Sequence, residues 1–130
     1  MDGIPEITVR QWQRVTLLAY VETVEQVAIT QATTASVLNS AYRPSVDGAN
    51  PVLEFFSNVT DAVYNTVQYD AKDQVGYNLK VEYDLSGPQV SQGASTYKLE
   101  TLVELTSGEH IPVEGRVIVQ PVYTTPMNAY

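Results

Sequence analysis

His110 is the only histidine of this 130-residue chain, and carboxylates lie on both sides of it. Glu109 precedes it directly and Glu114 follows four residues later, so this group could act as a general base oriented by a carboxylate. Gly108, two residues before His110, places the histidine at a turn, where an exposed histidine is common without any catalytic or binding role. No second histidine and no cysteine is present to complete a metal pair or to supply a thiolate. The sequence therefore predicts neither catalysis nor metal binding at His110.

Three pairs of carboxylates are close enough in sequence to share a site: Glu22 with Glu25, Asp70 with Asp73, and Glu82 with Asp84. The third pair alternates along a predicted strand and points to solvent, unlike the buried carboxylates of acid–base catalysis. The second pair lacks the regular acid spacing of a calcium loop. The chain also has no phosphate-cradling glycine loop and no nucleophile elbow around a serine. We therefore expect a protein that is not an enzyme and that holds no cofactor or metal.

The amino-acid composition restricts the kinds of partner that the protein can bind. Fifteen acidic residues against seven basic ones leave a net charge of -8, and the basic residues are scattered, which disfavours binding to a phosphate backbone. There is no run of about 18 apolar residues that could span a membrane. The first residues lack the basic and apolar segments of a secretory signal. The sequence predicts a single domain over residues 1–130 that binds neither nucleic acid nor membrane.

The N-terminal third is predicted to be helical. Residues 6–43 contain no glycine or proline, and Thr8 with Gln11 has the spacing of a capping box. The β-branched residues of this stretch oppose a helix, and alternation over residues 15–21 also suits a strand. A break is expected near residues 30–34. The apolar residues that recur at helical intervals are Leu17, Val21, Val24, Ala28, Ala35, Leu38 and Tyr42.

A second helical segment is predicted after the loop of residues 43–51. Asn50 followed by Pro51 is a favourable start for a helix. The segment is expected to end near Tyr69, and the apolar stripe on its face comprises Phe56, Val59, Val63 and Val67.

The C-terminal half is predicted to form strands. Residues 75–85 alternate strictly between apolar and polar side chains, and residues 96–106 and 111–123 have similar character. The turn around Gly108 joins the last two, and Pro121 should end the regular pairing. The order of elements indicates an α+β fold, with two N-terminal helical segments packed on a C-terminal three- to four-stranded antiparallel sheet.

Two extended arms, at about residues 1–8 and 121–130, are the predicted contact segments. Nine tyrosines stand beside two phenylalanines and one tryptophan, and tyrosine suits interfaces because it combines an apolar ring with a polar tip. Apolar arms on a compact domain can reach a neighbouring subunit, and the unpaired edges of a small sheet invite an added strand. The predicted partner-binding residues are Ile4, Ile7, Tyr123, Met127 and Tyr130.

A cysteine-free composition rich in Val, Thr, Gln and Tyr resembles that of the small virion proteins of tailed bacteriophages. The likeness concerns the general character of the whole chain and includes no family motif. It implies a non-enzymatic structural or assembly protein that acts through protein–protein contacts, such as a capsid decoration (cement) or tail-joining subunit. Such a protein would be a homo-oligomer or dock on a larger assembly, and it would be found in the virion and, during assembly, in the host cytoplasm.

Two other functions agree with the sequence. The order of helices before strands is similar to that of the nuclear-transport-factor-like cone, which closes a curved sheet over a small-ligand cavity, although no inward-facing His and Asp pair is visible. The unpaired sheet edges would also suit an adaptor that binds a peptide.

Overall fold

The computed structural model describes residues 6–10, 14–43, 51–70, 76–85 and 95–120, and within these ranges regular structure is almost entirely β-strand. One short helix, α1, interrupts the strands. In chain order the elements are β1 Glu6–Arg10, β2 Arg14–Ala19, β3 Thr34–Tyr42, β4 Pro51–Ser57, α1 Val59–Ala62, β5 Val63–Tyr69, β6 Gly76–Asp84, β7 Ser95–Leu105 and β8 His110–Gln120.

The strands form two sheets that face each other. The five-stranded sheet has the order β1-β8-β7-β3-β4, and the three-stranded sheet has the order β2-β6-β5. Strands β1 and β8 run parallel, with Ile7 opposite Val117, and the other neighbouring strands run antiparallel. The ring of Phe55 on β4 meets the ring of Tyr83 on β6 with 5.5 Å between centroids. The described residues therefore form a β-sandwich with one core between the sheets.

The core is built from the inward-facing residues of both sheets. Along β6 the buried Leu79, Val81 and Tyr83 alternate with the exposed Lys80 and Glu82, as expected for a strand with one face on the core. The completely buried valine and leucine residues of the five-stranded sheet are Val37, Leu99, Val103 and Val117. Burial of such side chains stabilises the fold by about 1.5–3 kcal/mol each.

The α+β prediction is wrong, and the first error lies in residues 6–43. This stretch forms β1, β2 and β3 instead of a helix. In β2 the buried Val15 and Leu17 alternate with the exposed Arg14 and Thr16, which is the strand pattern that competed with the helical spacing. β-Branched side chains fit the pleated surface of a sheet, and pairing of β2 with β6 supplies the hydrogen-bond partners that a lone segment lacks.

The turn between β2 and β3 contains no glycine, so the sequence did not predict it. The N–H of Thr23 donates to the carbonyl of Val27 at 2.8 Å, and the hydroxyl of Thr23 accepts from the N–H of Val27 at 3.2 Å. Gln26 supplies the left-handed conformation, with φ of 65°, that glycine usually provides in such a turn. The hydrogen bonds of Thr23 thus stabilise a turn that no glycine or proline marks in the sequence.

The second predicted helix is also wrong. Residues 51–69 form β4 and β5, and the helical part is limited to α1, whose N-cap Asn58 accepts from the N–H of Thr60 at 3.2 Å. The expected apolar stripe does not exist, because Phe56 is 70 % exposed whereas Val63 is completely buried. Spacing of three and four residues in this segment arises from two short strands joined by one helical turn.

The three C-terminal strands exist as β6, β7 and β8, but they do not form one sheet. Strands β7 and β8 form a hairpin whose turn contains Gly108 at φ of 94°. Strand β6 instead pairs with β2 and β5 in the other sheet. Alternation identifies a strand and its buried face but carries no information about which strand lies beside it.

Most of the two predicted arms lies outside the described residues, namely residues 1–5 and 121–130. Residues 6–8 of the N-terminal arm have their backbone in β1. In the described part of the chain, none of the helical structure has the length and apolar character that crossing a membrane requires.

Candidate functional site

The pairing between β5 and β6 is interrupted, and this interruption shapes the surface. Val63 lies opposite Leu79, but the next pair is Gln68 with Tyr77, so four residues of β5 stand against one residue of β6. Such a bulge bends its strand and ends regular pairing. Because β5 begins opposite Leu79, β2 is the only strand in the described part of the chain that pairs with residues 80–83. The other edge of this segment, which we call the open edge, has no strand beside it in those ranges.

An open cleft of about 410 Å³ lies beside the open edge. Its lining comes from the end of β4, from α1, from the start of β5 and from residues 80–82 of β6. Three aromatic side chains contribute, namely Phe55, Phe56 and Tyr64. Apart from Ala62 and Val81, the rest of the lining is polar, and a cleft that combines aromatic surface with polar groups is typical of binding sites for ligands and for protein segments.

Two edge-to-face aromatic pairs hold rings of the cleft in place. Phe55 contacts Tyr83 at an interplanar angle of 79°, and Tyr64 contacts Tyr77 with 5.7 Å between centroids and an angle of 81°. These are favourable geometries for aromatic rings. Phe56 differs because its side chain is 70 % exposed, so it is the aromatic group of the lining that is most available to a partner.

A chain of hydrogen bonds crosses the core, buried except at its last member Ser57, and ends at the cleft. The hydroxyl of Thr101 donates to Oδ1 of Asn39 at 2.7 Å. Since a hydroxyl has one proton, the hydroxyl of Tyr83 must donate to Oγ1 of Thr101, also at 2.7 Å. Nδ2 of Asn39 then donates to Oγ of Ser57, again at 2.7 Å. Tyr83 belongs to one sheet and the other three residues to the opposite sheet, so this chain ties the two walls of the cleft together.

Burial raises the pKa of Tyr83 to about 12 from its ordinary value of 10, with a smaller contribution from the charge of Glu100. The folded protein therefore holds this proton more tightly than the unfolded chain does. The protonated hydroxyl of Tyr83 therefore contributes roughly 2–3 kcal/mol to the free energy of unfolding. This contribution is fully present below pH 10 and is lost as the pH rises from 10 through 12. Denaturant unfolding across this range should show the loss in the wild type. The matched Tyr83→Phe variant should show a smaller loss, and equal losses would contradict the assignment.

The charged groups of the cleft are ordinary surface groups. Asp61, Lys80 and Glu82 are exposed. Arg14 donates to Glu82 at 2.8 Å and lies 3.8 Å from Asp84, and the hydrogen bond to Glu82, followed by the charges of both acids, raises the pKa of Arg14. The pair of Glu82 and Asp84 thus points to solvent, as its alternation predicted, and is held by a cation.

The structure gives His110 a different neighbour from those expected. Its Nε2 lies 3.3 Å from Glu104 on the adjacent strand β7, and its side chain is exposed. Glu109 instead accepts from the N–H of Val24 at 3.2 Å, and Glu114 contacts Lys98 at 2.9 Å. The described ranges contain no group of three or more His, Asp or Glu side chains placed to hold a metal ion.

Most of the predicted partner-binding residues lie outside the described part of the chain, namely Ile4, Tyr123, Met127 and Tyr130. Ile7 is placed through its backbone alone, in β1 opposite Val117. Phe56 and Ser57 were not among the predicted binding residues, because the helical interpretation of their segment put Phe56 on a buried stripe. Alternation of Leu53, Phe55 and Ser57 was the available signal, since as a strand it directs Phe56 to the opposite face from Phe55.

Comparisons with known proteins do not assign the chain to a family. No protein-family model matches the sequence, and no curated protein matches it. The fold is similar to that of CopC from Methylosinus trichosporium OB3b, with 13% identity over 96% of this chain and 91% of that chain and a TM-score of 0.41. A 2,6-sialyltransferase from Photobacterium sp. JT-ISH-224 gives a TM-score of 0.36 and 12% identity, and the match covers 93% of this chain but 19% of that enzyme. Neither likeness is strong enough to bear on function.

Proposed function

We propose that this chain is a non-enzymatic protein-binding module whose contact site is the cleft between β4 and β6. The observation that carries the proposal is the combination of an aromatic lining with an open sheet edge in one cleft. Phe56, 70 % exposed at the rim, supplies the large, weakly hydrated surface that protein interfaces use.

The polar groups of the cleft favour binding over catalysis. Asp61 and Lys80 are exposed to water, and Glu82 is held by Arg14. A carboxylate paired with a guanidinium in solvent is poorly suited to remove a proton from a substrate. Such groups instead set the orientation of a bound segment at the polar rim of an interface.

The proposal agrees with two of the functions inferred from the sequence. A structural or assembly protein of a virion and a peptide-binding adaptor would both use such a cleft, docking the chain on a larger assembly or on a second copy. The virion setting remains a prediction from general character. The cone-like alternative is wrong in its fold, because it needs helices packed on a sheet and the described residues form a β-sandwich.

Selection of a displayed library of random linear peptides against the immobilised chain tests the proposal. We expect enriched peptides to bind the Phe56→Ser variant at least about tenfold more weakly than the wild type, because an anchor side chain is lost. Tyr69→Ser is the matched control, since Tyr69 is 65 % exposed on β5 and does not line the cleft. Peptides that bind both variants equally, or a library without enriched binders, would contradict the proposal.

A further inference from the structure

The open edge is long enough to pair with an extended peptide of about four residues. Residues 80–83 span about 13 Å at about 3.3 Å per residue. In an antiparallel sheet each residue directs its N–H and its C=O to the same side, and successive residues alternate sides. Two of these four residues therefore direct both groups away from β2. They offer four backbone hydrogen-bonding groups on the side where the cleft lies.

The position beside the open edge continues the line of β5. Strand β5 occupies the place next to residues 76–79 and begins at Val63, opposite Leu79. α1 leads into Val63 and contacts β6, so a peptide added beside residues 80–83 would extend the three-stranded sheet beyond the end of α1. The opposite wall, at Phe55 and Ser57, belongs to the other sheet, and facing sheets lie about 10 Å apart, so one peptide can pair with only one of the two edges.

The side chains of β6 define what the added strand would carry. Val81 is buried and faces the core, whereas Lys80 and Glu82 are exposed on the outer face. A residue opposite Val81 would point inward beside Phe55 and should be apolar. Lys80 makes no ion pair within the described ranges, and Glu82 is already neutralised by Arg14 at 2.8 Å. A residue opposite Lys80 should therefore be acidic, because opposite charges are favourable cross-strand neighbours.

We infer that the cleft binds an extended peptide segment as an added strand on β6, with an apolar residue opposite Val81 and a carboxylate opposite Lys80. The inference rests on the proposed function and names the class of partner that this site recognises. Backbone pairing would provide affinity, and the two side-chain positions would provide selectivity.

Backbone methylation tests the mode of binding. The tightest peptide from the displayed library is synthesised with N-methyl groups at one alternate set of backbone nitrogens, and in a second version at the other set. Methylation of the set that faces β6 should weaken binding about tenfold or more, whereas the other set should change it less than about threefold. Amide hydrogen exchange of the complex should slow at residues 80–83. Equal effects of the two sets, or slowing confined to β4, would overturn the inference.

Charge exchange tests the acidic position. The Lys80→Glu variant should bind acidic selected peptides about tenfold more weakly, and lysine in place of the peptide carboxylate should restore binding. Lys98→Glu is the matched control on the outer face of the other sheet, and it should leave binding unchanged. Loss without restoration by the lysine peptide would remove the carboxylate from the inference.

Different experimental outcomes would overturn strand addition and the protein-binding function. Peptides that depend on Phe56 but tolerate methylation of either set would leave the protein-binding function in place and overturn strand addition. Peptides that ignore Phe56→Ser would overturn both.

Discussion

Replacing Thr101 by valine should lower the free energy of unfolding by about 3 kcal/mol, although the two side chains have nearly the same shape. Thr101 is completely buried and connects Tyr83 to Asn39 through one hydroxyl. Without it, the hydroxyl of Tyr83 and Oδ1 of Asn39 both lose a buried partner. Each such loss costs about 1–3 kcal/mol. Denaturant unfolding of the purified variant measures the change.

The controls for this prediction separate hydrogen bonding from packing. Thr101→Ser keeps the hydroxyl and removes one methyl group, so it should cost about 1 kcal/mol. Tyr83→Phe should cost less in the Thr101→Val background than in the wild type, because the phenol has no partner left to lose there. A Thr101→Val variant as stable as Thr101→Ser would show that the chain of hydrogen bonds does not hold the sheets together.

Replacing Asn78 by alanine should lower the free energy of unfolding by about 2–3 kcal/mol. Asn78 is 1 % exposed, its Oδ1 accepts from the N–H of Val21 at 2.8 Å, and its Nδ2 donates to the carbonyl of Val21 at 2.9 Å. The side chain thus takes the place of a strand beyond the end of β2. The carbonyl of Val21 keeps a bond from Ile29 at 3.2 Å, but its N–H would be left buried without a partner.

An exposed asparagine provides the matched control for this second prediction. Oδ1 of Asn65 also accepts from a backbone N–H, that of Gln31 at 2.9 Å, but on the surface. Water can replace this bond, so Asn65→Ala should cost less than about 1 kcal/mol. Equal losses for Asn78→Ala and Asn65→Ala in denaturant unfolding would contradict the argument, since burial is what distinguishes them.

Part of the fold could be predicted because it depends on local patterns. The alternation from Leu79 to Tyr83 reports the buried face of β6, and the turn at Gly108 joins two strands that pair directly. Residues 6–43 could not be assigned in this way. Spacings of three and four coexisted there with alternation over residues 15–21, and the strand interpretation prevailed because β6 and β7 supply paired neighbours and a core.

The candidate site could not be predicted from any motif. Its aromatic residues Phe56 and Tyr64 lie in a segment whose spacing suggested a helix, and its open edge exists because β5 begins opposite Leu79. Which strand lies beside β6, and where that pairing starts, depends on contacts between residues distant in sequence. Such contacts leave no periodic trace in either strand alone.

By itself, the sequence determined the acidic surface, the strand character of the C-terminal half and the lack of a catalytic motif, because these follow from residue types and local alternation. The tertiary structure alone decided that β6 and β7 belong to different sheets and that a cleft opens beside residues 80–83. It also decided that one chain of hydrogen bonds joins Tyr83, Thr101, Asn39 and Ser57. The physical reason is that sheet pairing and burial depend on which distant segments meet, whereas side-chain chemistry and alternation are carried by each segment on its own.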